Sequence, residues 1–392
     1  MIDAESTREQ PASIWSKNFI LICFANLSLF LSIHMLLPTL PLYLLDIGGT
    51  QRDVGYVMGA YTLGATLMRV IAGWLVDRYG RKINLISGLT IMLAVTFLYR
   101  LSNDVSIIIV TRVLHGLTFG LVSTALGTMV ADILPTARMG EGIGYFGLTS
   151  TFSMALAPII GLWLINKFSY TLLFIAIGLF TVLSLFNSLL VRNTGIPING
   201  SINQVENVLV NLLEKTSLLP SAVTFFLALI YSAVLFFIAI YAATFGIGNV
   251  GSFFAAISLT MVIFRPLSGR WADSGRNDMV FSIGFLTMFS SLIVIGLSST
   301  ITGFLFAGAL YGIGFSCSLP LLQAVAVRRA PAHRRGDATA TYFMALDMGI
   351  GLGAILWGFV AEASSFQVMY FTTLIPLVLA VTIYFRYRKR MV

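Results

Sequence analysis

Apolar stretches long enough to cross a membrane follow one another almost from end to end of this 392-residue chain, interrupted only by short charged or Gly/Pro punctuation. A hydrocarbon core of roughly 30 Å takes about 20 residues of helix at 1.5 Å rise per residue. Only a helix or a closed barrel satisfies every backbone group in that medium, and runs of this length select the helix. Charged residues make up 10% of the chain and hydrophobic ones 57%, whereas soluble domains run near a quarter charged. The mean hydropathy of +0.91 agrees. Lipid is therefore the expected solvent, and the expected fold class is an all-α integral membrane protein.

Reading each apolar run to its polar boundary predicts twelve transmembrane helices, at about 18–45, 53–76, 83–101, 105–133, 139–166 and 171–190, then 220–246, 250–272, 279–298, 300–327, 336–362 and 367–386. Cations collect in alternate connections: Arg78, Arg81 and Lys82; Arg138; Arg192 and Lys215; Arg270 and Arg276; Arg328, Arg329, Arg334 and Arg335; and the tail Arg386, Arg388, Lys389 and Arg390. The opposite connections hold Arg52, Arg100 and Lys167. The positive-inside rule then puts both termini in the cytoplasm. The net charge of +8 is accounted for by this orientation, since no basic domain with interleaved aromatics exists to bind nucleic acid. Asp3, Glu5 and Glu9 replace the basic start of a signal peptide, so the first helix is expected to be retained. Cys23 and Cys317 fall inside apolar runs, where a cysteine serves as a small hydrophobe rather than a disulfide or metal ligand.

A repeat organises the chain. Arg69, Gly73 and Asp77 recur as Arg265, Gly269 and Asp273, each displaced by 196 residues. Without a gap the same offset carries Gly116 onto Gly312, Pro135 onto Pro331, Arg138 onto Arg334, Gly140 onto Gly336 and Glu141 onto Asp337. One register held over some 70 residues makes the chain two copies of a six-helix unit. The expected segments are a cytoplasmic start (1–17), a first bundle (18–190), a linker (191–219), a second bundle (220–386) and a tail (387–392). In the linker, Val205, Val208, Leu209, Leu212 and Leu213 fall on one helical face, with Gln204, Glu206, Asn207, Asn211 and Glu214 mostly on the other. That pattern predicts an amphipathic helix on the cytoplasmic surface.

At the end of the second helix stands Gly73-Trp-Leu-Val-Asp77-Arg78-Tyr-Gly80-Arg81-Lys82. The fourth helix carries Arg112-Val-Leu-His115-Gly116 and the fifth Ala157-Pro158-Ile-Ile-Gly161. The first string resembles the loop signature of the major facilitator superfamily, the second its Arg-x-x-x-Gly signature with His115 where glutamine is usual. The third is similar to the Gly-Pro-x-x-Gly packing motif of the antiporter branch, with Ala157 replacing the first glycine. The resemblance spans the whole chain and points to bacterial drug:proton antiporter-like exporters, opine-type metallophore exporters of the staphylopine kind among them. It implies two pseudo-symmetric six-helix bundles around a midplane site, alternating access, and a conformational latch at Gly73, Asp77, Arg78, Gly80, Arg81 and Lys82 with Gly269 and Asp273. It further implies a multi-pass protein of the bacterial inner membrane that works as a monomer.

An ionisable side chain at membrane depth costs about 3 kcal/mol, so each is a candidate for function. Asp347 is the one carboxylate expected deep in the bilayer, in Ala345-Leu-Asp347-Met-Gly349-Ile-Gly351-Leu-Gly353, where glycines admit a neighbouring helix. It either carries a proton through the cycle or pairs structurally with an arginine. His34, one turn before Pro38, is a proton carrier, a substrate donor, or a packing residue. Arg112 cannot release its proton and must act as a fixed cation. Arg69 and Arg265 either line the cytoplasmic half of the cavity, or snorkel to the cytoplasmic surface or brace the latch. Were all three arginines to face the cavity, its field would favour an anionic or zwitterionic substrate. Tyr56, Tyr61, Phe236, Tyr241, Tyr311 and Tyr342 are aromatic candidates for the pocket wall.

No zinc-ligand pattern, Gly-x-Ser-x-Gly elbow or Walker loop occurs on a suitable element, so neither hydrolysis nor ATP-driven pumping is expected. No cofactor is expected. The function expected is proton-coupled export of a small amphiphilic or zwitterionic organic molecule, with uptake by the same fold as the alternative. The expected partners are that substrate, protons and lipid.

Overall fold

The computed structural model describes residues 13–101, 104–135, 138–192, 214–331 and 335–391. The side chains of Asp77, 139–141, Asp273, 335–337 and 389–391 are outside this description, as is the predicted amphipathic stretch of the linker.

Six helices form the first half: α1 (Lys17–Asp46), α2 (Gln51–Tyr79), α3 (Arg81–Leu101), α4 (Val105–Ile133), α5 (Met139–Lys167) and α6 (Tyr170–Leu190). The second half contains α7 (Leu218–Ala243), α8 (Gly251–Asp273), α9 (Asn277–Leu297), α10 (Ile301–Arg328) and α11 (Arg335–Ala363). Its last crossing consists of two pieces, α12 (Phe366–Thr372) and α13 (Leu374–Met391). The break was not expected, and Pro376 explains it: without an N–H it cannot bond the carbonyl of Thr372, and the helix restarts. Counting that pair as one, twelve helices are long and apolar enough to span a bilayer.

Six of the helix starts are closed by side chains, since a first turn has four N–H groups with no intrahelical partner. Ser16, Asp104, Ser169, Thr300 and Ser365 each accept from an N–H of the following turn. Thr50 and Asp53 do so reciprocally in a capping box.

Within the first half α2 packs on α4, α1 on α5 and on α6, and α3 on α4; within the second, α8 packs on α10, α7 on α11 and on α13, and α9 on α10. Shifting by 196 residues turns one set into the other. The halves meet through α2 against α11, its symmetry mate α5 against α8, and α1 against α7. These are two pseudo-symmetric six-helix bundles.

With twelve crossings the first and last helices begin and finish at one end of the bundle, here called the terminal end, and the turns at 47–50, 244–250 and 364–365 lie at the distal end. The halves touch distally. Arg52 Nε stands 3.0 Å from Glu362 Oε1, and Asn166 Nδ2 donates to the Gly248 carbonyl at 2.5 Å. A Cβ on Gly55 would stand 2.6 Å from the Ala354 carbonyl oxygen, and one on Gly358 2.6 Å from that of Gln51. Backbones this close exclude any larger residue. Toward the terminal end the picture reverses: a Cβ on Gly73 of α2, Gly144 or Gly147 of α5, or Gly269 of α8 would meet nothing within 4 Å. The cleft between the halves is shut distally and open at the terminal end.

Candidate functional site

At the apex of that cleft, about mid-depth along both helices, Arg69 Nη1 of α2 is ion-paired with Asp347 Oδ2 of α11. The side chains keep 32% and 13% of their exposure, so the pair sits where the packed distal region gives way to the open cleft. Either charge alone would cost about 3 kcal/mol at this depth. Breaking a buried pair by removing one partner costs about 3–5 kcal/mol, because the other charge is left uncompensated. The two halves are therefore joined at their centre by an interaction whose strength depends on whether Asp347 is ionised. The glycines flanking Asp347 seat α11 on two neighbours. Gly349 and Gly353 face α7, their Cβ positions within reach of Phe225 O at 2.5 Å and Leu229 Cα at 3.0 Å, and Gly351 faces Thr62 of α2.

His34 lies on α1 one turn before Pro38, and the helix runs on through both Pro38 and Pro41. Its Nδ1 is 2.7 Å from Ser153 Oγ of α5, and a second α1 to α5 bond joins Asn26 Nδ2 to Thr149 Oγ1 at 2.7 Å. Pro158 lies inside α5, and the Cβ position of Gly161 is 3.2 Å from the Met35 carbonyl oxygen, so the helix-five motif is what lets α5 approach α1.

Arg112 is fully buried between α4 and α2 rather than standing in the open cleft. Its guanidinium carbon is 4.6 Å from the Tyr61 ring centroid, a favourable cation–π distance, and Nη2 reaches Met58 Sδ at 3.2 Å. Nε and Nη1 have no hydrogen-bond partner, nor do Tyr61 Oη and His115 Nε2 beside them. His115 Nδ1 is 3.0 Å from Tyr99 Oη. From here aromatic contacts run to the ion pair: Tyr61 stacks on Phe119 at 5.7 Å, and Phe119 lies 5.8 Å beneath the Arg69 guanidinium. A buried cation with no acid beside it among the described residues is destabilising. Arg112→Met keeps a flexible chain of similar length without the charge. It should raise the midpoint of thermal unfolding in detergent by several degrees, since about 2 kcal/mol or more of desolvation is relieved. If Arg112 serves transport, the same variant loses flux while gaining stability, the trade-off expected of a strained functional residue.

Arg265, the repeat mate of Arg69, is exposed, and among the described residues it has no acidic partner. It borders a recess of about 140 Å³ with Ser316, Gln323, Tyr342 and Phe343. Of the other aromatic candidates, Tyr61 and Tyr342 are near these groups. Tyr311, the repeat mate of His115, is fully buried with its hydroxyl unpartnered. Phe236 is core, Tyr241 donates to the Gly296 carbonyl within a distal aromatic cluster, and Tyr56 packs edge-on against Phe359 near the distal rim.

The loop cluster knits the first bundle to itself. Arg81 Nε donates to Asp132 Oδ2 at 2.9 Å, and Lys82 Nζ donates to the carbonyls of Leu189 and Val191, which end α6. Gly80 terminates α2 at φ +92°, a conformation that side chains avoid, and Arg78 covers Trp74 at 5.2 Å. Asp77 and Asp273 lie outside the described side chains. Sequence reasoning did not identify Ser153, Ser316, Gln323, Asp132 or Glu362. The serines and glutamine are ordinary helix residues in one dimension, and the two acids sit near helix ends, where acids are common.

The Major Facilitator Superfamily model matches residues 22–273 and again 221–391. An uncharacterized MFS-type transporter, MJ1560 of Methanocaldococcus jannaschii, is 23% identical over 383 residues, 95% of this chain and 99% of that protein. The quinolone resistance protein NorA of Staphylococcus aureus is 28% identical over 146 residues, 37% of this chain and 38% of that protein. Among solved structures, a bacterial homologue of the human lysosomal transporter Spinster, inward-facing and unoccupied, superposes with a TM-score of 0.79 at 14% identity, covering 97% of this chain and 98% of that one. At that identity the likeness is one of fold.

Proposed function

The chain belongs to the Major Facilitator Superfamily, a family of membrane transporters and not of enzymes, and from that premise we propose that it is a proton-coupled exporter of a small amphiphilic or zwitterionic organic molecule. One observation carries the proposal: the only ion pair at mid-depth between the halves, among the described residues, is Arg69 with Asp347. The partial likeness to NorA, a quinolone resistance protein, supports the outward direction.

In the proposed cycle the terminal end is cytoplasmic, by the excess of cations there. With Asp347 ionised and paired, the distal end is held shut and substrate enters from the cytoplasm. Rocking of the 18–190 bundle against the 220–386 bundle parts α2 from α11 and breaks the pair. The freed carboxylate takes a proton from the far side as the substrate leaves. On return, Arg69 competes for the carboxylate and the proton departs to the cytoplasm. Arg69 thus opposes protonation only in the terminal-open state, and that dependence is what couples the two fluxes. His34 with Ser153 would serve as a substrate donor on the facing wall, and the loop cations would form contacts between the halves when the terminal end closes. The working unit is a monomer in a bacterial inner membrane.

Purified protein reconstituted in liposomes with a pH dye tests the coupling. Substrate moving down its gradient should drive protons the opposite way, at a fixed ratio. Protons moving in the same direction as substrate would make the protein a symporter and overturn the assignment, and substrate flux with no proton movement would overturn the coupling itself.

A further inference from the structure

The offset of 196 residues that relates Arg69 to Arg265 also relates Asp347 to Thr151, and it carries α5 onto α11 at both ends. The interface of α2 with α11 and that of α8 with α5 are thus one interface used twice. In one copy the arginine meets a carboxylate. In the other, Arg265 is exposed beside a recess of α8, α10 and α11, and the position that would hold its carboxylate by symmetry is a threonine. A cation kept at membrane depth without its symmetry-related anion is a site from which a negative charge is missing.

The recess beside Arg265 has a second feature that points to a ligand. Ser316 is 1% exposed, lines the recess, and its Oγ has no hydrogen-bond partner. Its backbone does not explain this. Pro320, four residues on, offers no N–H to the Ser316 carbonyl, and Ser268 Oγ fills that vacancy at 3.0 Å. The polar accounting around Ser316 is complete except for its own buried hydroxyl, in a residue that borders the recess. Tyr342 is already committed, donating to the Leu319 carbonyl at 3.0 Å. Arg265, Ser316 and Gln323 together offer donors for one planar anion, while Phe315, Phe343 and Leu346 offer apolar surface for the body attached to it.

We propose that this recess is an anion subsite for transported substrate. It takes an organic monocarboxylate with an aromatic or branched apolar body, whose carboxylate binds Arg265 and Ser316. The substrate's charge then supplies to Arg265, in a recess walled by α8, α10 and α11, the counterion that Asp347 supplies to Arg69. Its arrival gives the open terminal end the counterion needed to close. This deepens, and rests on, the reading of the protein as a transporter.

The test is binding to the full chain in detergent by isothermal titration at pH 7, with naphthalene-1-carboxylate and its neutral carboxamide as probes. The carboxylate should bind wild type at least tenfold more tightly than the carboxamide, as expected for loss of a charge-assisted contact. Arg265→Gln should remove that preference, and Ser316→Ala should weaken the carboxylate by about 3- to 10-fold. Thr151→Asp, which leaves the recess intact, should also weaken the carboxylate at least tenfold by supplying the anion from within, and should leave the carboxamide unaffected. Equal binding of the two probes, absence of carboxylate binding to wild type, or an unchanged carboxylate affinity in Arg265→Gln would each overturn the proposal. Binding involves no gradient, so the two readings fail separately. Loss of the preference with intact proton antiport sinks only the subsite, whereas a confirmed preference without proton movement sinks only the coupling.

Discussion

Asp347→Asn is expected to lower transport driven by a pH gradient by at least about 100-fold while leaving substrate-for-substrate exchange within a few-fold of wild type. The substitution preserves shape and retains an oxygen to accept from Arg69, so the contact of α2 with α11 is weakened rather than removed. What it eliminates is a change of charge. Exchange requires the halves to rock with substrate bound at each turn, and no proton has to load or leave. Net antiport requires Asp347 to alternate between a proton and Arg69. The uncompensated Arg69 costs less than the roughly 3–5 kcal/mol of a fully buried partner, because its side chain keeps 32% of its exposure in the cleft. The measurement is paired uptake in liposomes, with a gradient and without one. Gradient-driven flux within about threefold of wild type would show that Asp347 is a structural partner only, and loss of both activities would show that the pair is needed for folding or rocking rather than for coupling.

The parts of this architecture that recur were readable in one dimension, and the parts that depend on facing were not. The twelve apolar runs and the offset of 196 residues follow from lipid solvation and from duplication, both of which leave periodic marks. Asp347 stood out because carboxylates at membrane depth are rare. Its partner did not, since Arg69, Arg112 and Arg265 look alike as isolated basic residues in apolar helices. The structure separates them: Arg69 pairs with Asp347, Arg112 is fully buried under Tyr61, and Arg265 is exposed beside a recess of α8, α10 and α11. Facing depends on how two helices pack, and in a helix exposed partly to lipid and partly to protein the hydrophobic pattern does not report it. The split at Thr373 was legible in principle from Pro376, yet prolines inside α1, α5, α8 and α10 leave those helices continuous. Ser153 and Ser316 had no signal at all, since a serine in an apolar helix becomes informative only when its partner is seen.

Gly358→Leu is expected to shift the resting protein toward a distal-open arrangement and to lower transport by about 10- to 100-fold. The first atoms that a side chain at position 358 would meet are the Gln51 carbonyl oxygen at 2.6 Å, Gly55 Cα at 3.1 Å and Gly55 N at 3.3 Å. All are backbone, so no rotamer change relieves the contact and the two helices must separate. Overpacking where side chains can adjust already costs about 1–3 kcal/mol, equivalent to roughly a 5- to 150-fold change in an equilibrium constant. The cost falls only on the state in which α2 and α11 touch distally, and the distal-open state is spared, so the whole penalty acts as a bias between them. Gly358→Ala adds the clashing Cβ alone and should give an intermediate shift. Spin labels at Lys167→Cys and Ser364→Cys, one on each half at the distal end, in a background with Cys23 and Cys317 replaced by serine, read the separation directly. The distance distribution should move to longer values in the order wild type, Gly358→Ala, Gly358→Leu, and transport should fall in the same order. An unchanged distribution in Gly358→Leu would mean that the distal contact is not what holds the halves, and the tie at Arg69 and Asp347 would then have to maintain distal closure by itself.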